Sequence, residues 1–368
     1  MRVPLVDLAR QHEEIETEIL RGFADVIGEA AFIHGPDVKA FEDEFAKFCG
    51  VGHCVGVGNG TDALELALRA LKVGPGDEVI VPANSFIASA LAVIRAGAKP
   101  VLVDCDPDTF LIDVDAVETA MNSKVKAVMP VHLYGQIAPI DRLRTVVGDI
   151  FVIEDAAQSQ GATRHGRKAG SLGLIAGTSF YPGKNIGAYG DAGAVLTDDA
   201  ELALEVRKLG NWGSDQKYHH SSVGFNSRLD TIQAVILRAK LSRLAGWNDQ
   251  RGVAAARYQE LLADIGPVNS PVTLEGNGHV WHLYVVRVPH RDDVLASLQS
   301  DGVGAGVHYP IPMHLQGALR SLGHQSGDFP VAERLAGEII SLPIFPGITS
   351  DEQEYVASRL AAAFDSGS

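Results

Sequence analysis

Short apolar runs recur through the first half of the chain, at His53–Val57, Glu78–Val81, Pro100–Val103, Ala127–Val131 and Phe151–Ile153. Between the first four lie stretches with helical spacing. In Asp62–Leu71 the residues Leu64, Leu68 and Leu71 share one stripe, and Val114–Met121 has the same character. This alternation predicts a largely parallel sheet with helices on both faces. Sheets of that kind bind ligands beyond the carboxyl ends of their strands, so chemistry is expected in the residues that follow each run.

After Ala194-Val195-Leu196-Thr197 the pattern changes. A polar region from Asn211 to Arg228 leads into a strongly helical run from Leu229 to Tyr258. Beyond it, strand-like pieces at His282–Val288 and Val303–His308 interleave with helices at Arg291–Gln299 and Ala332–Ile340. The expected organisation is α/β, with a large domain over residues 1–244 and a smaller C-terminal α+β domain over residues 245–368. No segment repeats with the period of a solenoid, and none is low in complexity.

Composition narrows the class. An apolar share of 46% with 21% charged residues is that of an ordinary soluble globular protein. Against 46 Asp and Glu stand only 31 Lys and Arg, a net charge of −15, which argues against a nucleic-acid surface. A local nest of backbone N–H groups can still bind phosphate in an acidic protein. The longest uncharged stretches, Val79–Ile94 and Gly302–Leu319, are broken by prolines and polar residues and do not suit a bilayer. The opening Met1-Arg2-Val3-Pro4-Leu5-Val6-Asp7 lacks the apolar run of a signal peptide. Cys49, Cys54 and Cys105 are odd in number and form no C-x-x-C pair, as expected of reduced thiols in a cytoplasmic protein. No metal site is expected.

Three segments carry candidate chemistry. Phe151-Val152-Ile153-Glu154-Asp155-Ala156-Ala157-Gln158 ends an apolar run in acids followed by small residues, which presents a carboxylate at the strand's mouth. A plain helix N-cap at Asp155 fits the same residues. The stretch Thr178–Gly193 sets Lys184 among glycines, aromatics and a proline, with Asp191 the one other charge. An exposed turn lysine is the bland alternative, yet a surface turn has little need of Phe180, Tyr181 and Tyr189. A lysine desolvated by such neighbours has a lowered pKa, as a Schiff-base nucleophile requires. Val55-Gly56-Val57-Gly58-Asn59-Gly60-Thr61-Asp62-Ala63-Leu64 reads as strand, glycine-rich turn and helix start. Its N–H groups and the Thr61 hydroxyl can cradle a phosphate. A helix N-cap explains this segment equally well, and it is neither a full G-x-G-x-x-G nor a P-loop. Together, a phosphate cradle, an imine-forming lysine and a carboxylate that keeps a pyridinium nitrogen protonated are what pyridoxal 5′-phosphate needs.

With those residues on hand, the sequence resembles the DegT/StrS family of nucleotide-sugar aminotransferases, whose fold is aspartate-aminotransferase-like (type I). The likeness begins at Val3-Pro4-Leu5-Val6-Asp7-Leu8 and continues through Phe32-Ile33-His34-Gly35-Pro36 and Gly58–Leu64. It reaches Ser341-Leu342-Pro343-Ile344-Phe345-Pro346, and Ser179-Phe180-Tyr181-Pro182-Gly183-Lys184-Asn185 is its most specific match. The resemblance implies that Lys184 bonds the cofactor, Asp155 faces the pyridinium nitrogen and Gln158 the ring hydroxyl. It implies that Phe86 stacks on the ring, and that Gly60, Thr61 and Ser179 hold the phosphate. Asn226 would reach the phosphate from the other subunit, which implies a homodimer with shared sites. Relatives that dehydrate sugars carry His where this chain has Lys184, so transamination is the implied reaction. Glutamate would give its amino group to the cofactor, a keto-sugar would take it, and Lys184 would carry the proton in both halves.

The stretches Asn211–His220, Asn226–Asp230 and Val307–Gln316 resemble the branch that aminates C3 of dTDP-3-keto-6-deoxyhexoses. On that likeness Tyr181, Lys217, Tyr218, His308, Tyr309 and His314 would contact substrate. The bland readings are a structural role for His308, Tyr309 and His314 and a solvated loop for Lys217 and Tyr218. The rival readings are an aminotransferase for a UDP-linked 3-keto sugar or a cyclitol ketone, and a regulatory protein that has kept the fold without catalysis. A dinucleotide-binding dehydrogenase would need a fuller glycine fingerprint.

Overall fold

The computed structural model describes residues 1–365. Its centre is a seven-stranded sheet: β1 His53–Val57, β2 Glu78–Pro82, β3 Lys99–Val103, β4 Val125–Val128, β5 Phe151–Asp155, β6 Ile175–Ser179 and β7 Gly193–Thr197. The strands lie in the order β1-β7-β6-β5-β4-β2-β3. All are parallel except β7, which pairs antiparallel with both β1 and β6.

Successive side chains of these strands enter two different cores, as the period of two requires. Val79, Val81, Ala127, Ile153, Ile175 and Val195 pack with the helices Gly60–Ala70 and Ala88–Arg95 on one face. On the other face Ile80, Val128 and Val152 join Leu143 of the helix Ile140–Val147, while Ala176 and Leu196 meet the helix Pro36–Cys49. Burial on both faces is why the runs read as continuous apolar stretches.

A second core forms around the antiparallel pair β8 Tyr284–Arg287 and β9 Ile339–Leu342. Tyr284, Val286, Ile340 and Leu342 pack there with Val294, Leu298, Val356 and Leu360 from the helices Arg291–Ser300 and Ser350–Asp365. The helix Thr231–Leu262 serves both units. Leu237 and Leu244 belong to the first, Ala254, Tyr258 and Leu262 to the second.

Three local expectations change. Val303–His308 is not a ladder strand: Val303 bridges to Val3 and Gly306 to Ser341. Gly304 between them lies so close to Leu5 that a Cβ would fall 2.5 Å from its backbone nitrogen. The helix expected over Ala332–Ile340 ends at Glu338, and Ile339 and Ile340 belong to β9. Strand β6 lies outside the expected runs, since Ile-Ala-Gly-Thr-Ser has alanine and glycine at its centre in place of a continuous bulky apolar run. The reason is packing: a Cβ at Gly177 would meet Leu64 Cδ2 at 2.7 Å, so the helix Gly60–Ala70 sits directly on that strand. Among the described residues, no helix is long and apolar enough to cross a membrane. All three cysteines are buried and free.

Candidate active site

The parallel strands converge on one cavity. β5 ends at Asp155, β6 ends at Ser179, and the turn after β1 delivers Asn59-Gly60-Thr61 to a helix N-terminus. With the Lys184 turn and the segment His308-Tyr309 they enclose a volume of about 540 Å³. Ten of the expected residues line it: Gly60, Thr61, Phe86, Asp155, Gln158, Ser179, Tyr181, Lys184, His308 and Tyr309.

One end of the cavity is built for an anion. Asn59 caps the helix, its Oδ1 accepting the Asp62 N–H at 2.8 Å. The first N–H groups of a helix have no intrahelical acceptor, so those of Gly60 and Thr61 remain available, and the helix dipole favours negative charge there. Gly60 is required by a close approach: an added Cβ would lie 2.6 Å from Ser179 Cβ. Ser227 braces the turn from behind, its Oγ accepting the Gly58 N–H at 3.0 Å and donating to Asp62 Oδ2 at 2.8 Å.

At the middle of the cavity stands Asp155, a buried carboxylate. Ser89 Oγ donates to its Oδ2 at 2.7 Å and the Ala157 N–H to its Oδ1 at 3.2 Å. Burial raises its pKa above the ordinary carboxylate value, against the opposing effect of the Ser89 bond. Among the described residues it has no ion-pair partner, so a cationic N–H facing it would complete the site. Gln158 is fixed by two contacts, its Oε1 accepting the Tyr134 N–H at 2.7 Å and its Nε2 donating to the Tyr309 hydroxyl at 3.2 Å. Phe86 is 51% exposed although it is aromatic, and its ring lies 5.2 Å from that of Tyr309. An aromatic left open to a cavity is a surface for a flat ligand.

Lys184 lies half-buried, its backbone N–H closing a turn on the Tyr181 carbonyl at 2.8 Å. Burial lowers its pKa to about 8, and Asp155 resists the shift. Its Nζ has no hydrogen-bond partner among the described residues. His308 Nδ1 lies 2.8 Å from Ser341 Oγ, and burial, aided by the Lys184 charge, lowers the His308 pKa to about 4.

A lone amine, a buried acid without a counter-ion, an exposed aromatic face and a helix N-terminus match the four groups of pyridoxal phosphate: aldehyde, ring nitrogen, ring face and phosphate. The residues fit the cofactor.

Sequence comparison points the same way. The model of the DegT/DnrJ/EryC1/StrS aminotransferase family matches residues 13–361. The chain belongs to the DegT/DnrJ/EryC1/StrS aminotransferase family. It is 45% identical to the "Pleiotropic regulatory protein" of Geobacillus stearothermophilus, over 98% of each chain. It is also 45% identical to the dTDP-3-amino-3,4,6-trideoxy-α-D-glucose transaminase of Streptomyces venezuelae, covering 94% of this chain and 92% of that one. Among solved structures, S. venezuelae DesV in complex with a ketimine intermediate superimposes with a TM-score of 0.96, at 43% identity and over 98% of each chain. The type I fold, the pyridoxal phosphate cofactor and sugar-aminotransferase activity expected from the sequence are those of this family, and of this member.

Four expected site residues do not line the cavity of this chain. Asn226 is exposed and bridges to Asn211. Lys217 and Tyr218 lie at the turn of the hairpin Ser214–Gln216/His219–His220, and Tyr218 is 82% exposed. His314 also lies off the cavity lining. Its side chain is enclosed, with Nε2 2.9 Å from Glu333 Oε1 and its ring 4.7 Å from that of Phe329.

Sequence reasoning assigned no role to Ser89, His282 or the pair His132–Glu154. Glu154 points to the face opposite Asp155, as alternation along β5 requires. It accepts from the N–H groups of Gly170 at 2.8 Å, Leu172 at 2.7 Å and Gly173 at 2.5 Å, and from His132 Nε2 at 2.8 Å. Its pKa is lowered: burial is the largest single influence and opposes this, and the His132 bond leads those that outweigh it. Replacing Glu154 by Gln would turn an amide N–H toward these donors, so Glu154→Gln is expected to destabilise the chain by about 3 kcal/mol in urea unfolding. Because the folded pKa lies below the unfolded one, that stability is present above pH 4.5 and fades as pH falls through the folded value.

Proposed function

We propose that this enzyme moves the amino group of glutamate to the keto carbon of a dTDP-linked 3-keto-6-deoxyhexose, giving a 3-amino sugar nucleotide, and works in the cytoplasm as a homodimer. The observation that carries the reading is the pairing of an unpartnered lysine amine with a buried, uncompensated carboxylate across one cavity. The dTDP acceptor is supported by the likeness to the S. venezuelae transaminase. The intact Lys184 and Asp155 speak for catalysis over a purely regulatory role, despite the name of the Geobacillus relative.

When bound, the cofactor supplies an electron sink conjugated with the reacting carbon. Asp155 would keep a proton on the ring nitrogen, Gln158 would hydrogen-bond the ring hydroxyl and Phe86 would pack on the ring. Gly60, Thr61 and Ser179 hold the phosphate. Lys184 Nζ would bond the cofactor at rest. As a free amine it would take the proton from the donor's α-carbon in the first half-reaction and give a proton to the former keto carbon of the sugar in the second. Tyr181, His308 and Tyr309 line the side where substrate enters. Both half-reactions use the same lysine in one cavity, so ping-pong kinetics are expected. Asn226, Lys217 and Tyr218 are exposed and off this chain's cavity, which suits a role at the cavity of the second subunit. In this reading residues 1–244 form the cofactor-binding domain and 245–368 the small domain, in line with the two cores that share the helix Thr231–Leu262.

Two expectations follow from the geometry. Gly60→Ala pushes a methyl against Ser179 and is expected to weaken pyridoxal phosphate binding by about tenfold in a fluorescence titration. Only the neutral amine captures an aldehyde, so cofactor capture by the free chain should accelerate about tenfold per pH unit below pH 8 and level off above it.

The acceptor is tested by offering dTDP-3-keto-6-deoxyglucose, its galacto epimer and a UDP-linked 3-keto sugar with glutamate, and weighing the products. Preferential amination of a dTDP sugar supports the proposal. Preference for the UDP sugar overturns the acceptor and leaves the aminotransferase standing.

A further inference from the structure

The cavity contains an imidazole to which no role has been given. His282 lines it beside Lys184, only 8% exposed, where the chain approaches β8. The tautomer of its ring is settled by a chain of directed hydrogen bonds. Asn248 Nδ2 donates to the Gln160 carbonyl at 3.0 Å, so Asn248 Oδ1 is an acceptor, and Asn185 Nδ2 donates to it at 2.8 Å. Asn185 Nδ2 gives its second hydrogen to the Val280 carbonyl at 2.9 Å. Carbonyl oxygens only accept, so neither amide can be turned over. Asn185 Oδ1 is therefore an acceptor, and His282 Nδ1, 3.2 Å away, must be the donor. With the proton on Nδ1, Nε2 carries a lone pair, and it has no partner among the described residues.

The anchor of this ring is the residue next to Lys184. Asn185 is 1% exposed and held by all three contacts, so the histidine and the lysine turn are tied together. Lys184 offers three hydrogens without an acceptor, and His282 offers an acceptor without a hydrogen. We infer that His282 is a positioning residue for Lys184: the free lysine amine reaches Nε2 by rotation about its own side-chain bonds, and Nε2 then accepts a hydrogen bond from it and holds it beside the reacting carbon between the two proton transfers. The ring suits this task because it stays neutral. Burial lowers its pKa, and the groups acting on it, Lys184, Arg251, His308 and His279, all oppose a further positive charge. Lys184 itself faces Asp155, His308 and His282.

The inference rests on Lys184 being the reacting amine, and the test keeps the two apart. Borohydride reduction of the cofactor-loaded wild-type chain should attach the cofactor to Lys184; attachment to another lysine overturns the proposed function and this inference with it. In the full chain without cofactor, Lys184 is then methylated with formaldehyde and cyanoborohydride across a pH series, and the modified peptide is quantified by mass spectrometry. An acceptor stabilises the ammonium, so His282→Leu is expected to lower the pH midpoint of modification by about half a unit or more, and His282→Gln, which keeps an acceptor, to restore it. An unchanged midpoint in a folded His282→Leu chain overturns the inference. If that variant does not fold, nitrogen NMR of the wild-type chain with labelled histidine decides. A neutral Nδ1–H ring at pH 7 upholds the inference, and an Nε2–H or doubly protonated ring overturns it.

Discussion

Lys184→Ala is expected to lower transamination by at least about a thousandfold while leaving the chain folded. The lysine is asked to do two jobs, to bond the cofactor and to carry a proton in each half-reaction, and alanine does neither. Its side chain is half-buried with no hydrogen bond at Nζ, so little structure is lost with it. The variant should still bind pyridoxal phosphate through Gly60, Thr61, Asp155 and Gln158, but borohydride should no longer fix the cofactor to the protein. Steady-state kinetics and intact mass together check this. Substantial residual turnover would move the proton transfer to another base.

Asp155→Asn is expected to lower kcat by about a hundredfold to a thousandfold, the range seen when one preorganised charge or dipole is removed from a reaction centre. The substitution is nearly isosteric. Ser89, whose Oγ also lies 2.9 Å from Ser85 Oγ, can reverse its hydroxyl and accept from the new amide, and Ala157 can still donate to the remaining oxygen. Packing is thus kept and the charge is lost. Thermal unfolding without cofactor should change little, while glutamate-driven conversion of the bound cofactor slows in proportion to kcat. A slow variant with an unchanged glutamate half-reaction would contradict the role given to Asp155.

The legible part of this protein was the part in which local rules agree. The runs at β1 to β5 read as strands because both faces of each are buried. Lys184 and Asp155 stood out because ionisable groups among glycines and apolar residues are costly unless used. What was not legible depends on packing between distant segments. Ile175–Ser179 becomes a central strand only because the helix Gly60–Ala70 presses on Gly177. His282 sits in an ordinary-looking strand sequence, and only the amides of Asn185 and Asn248, from two other segments, give its ring a direction. His314 resembles a ligand-facing histidine in sequence, yet Glu333 and Phe329 turn it inward. Ser89 is one residue of a helical run, and only the fold places its hydroxyl on Asp155.

The most direct measurement of the central claim is transfer of isotope from [¹⁵N]glutamate, with the purified chain, pyridoxal phosphate and dTDP-3-keto-6-deoxyglucose, read by mass spectrometry. The account predicts an amino-sugar nucleotide one mass unit heavier than the product made from unlabelled glutamate, absent with Lys184→Ala. No aminated sugar, or an unlabelled one, would contradict it.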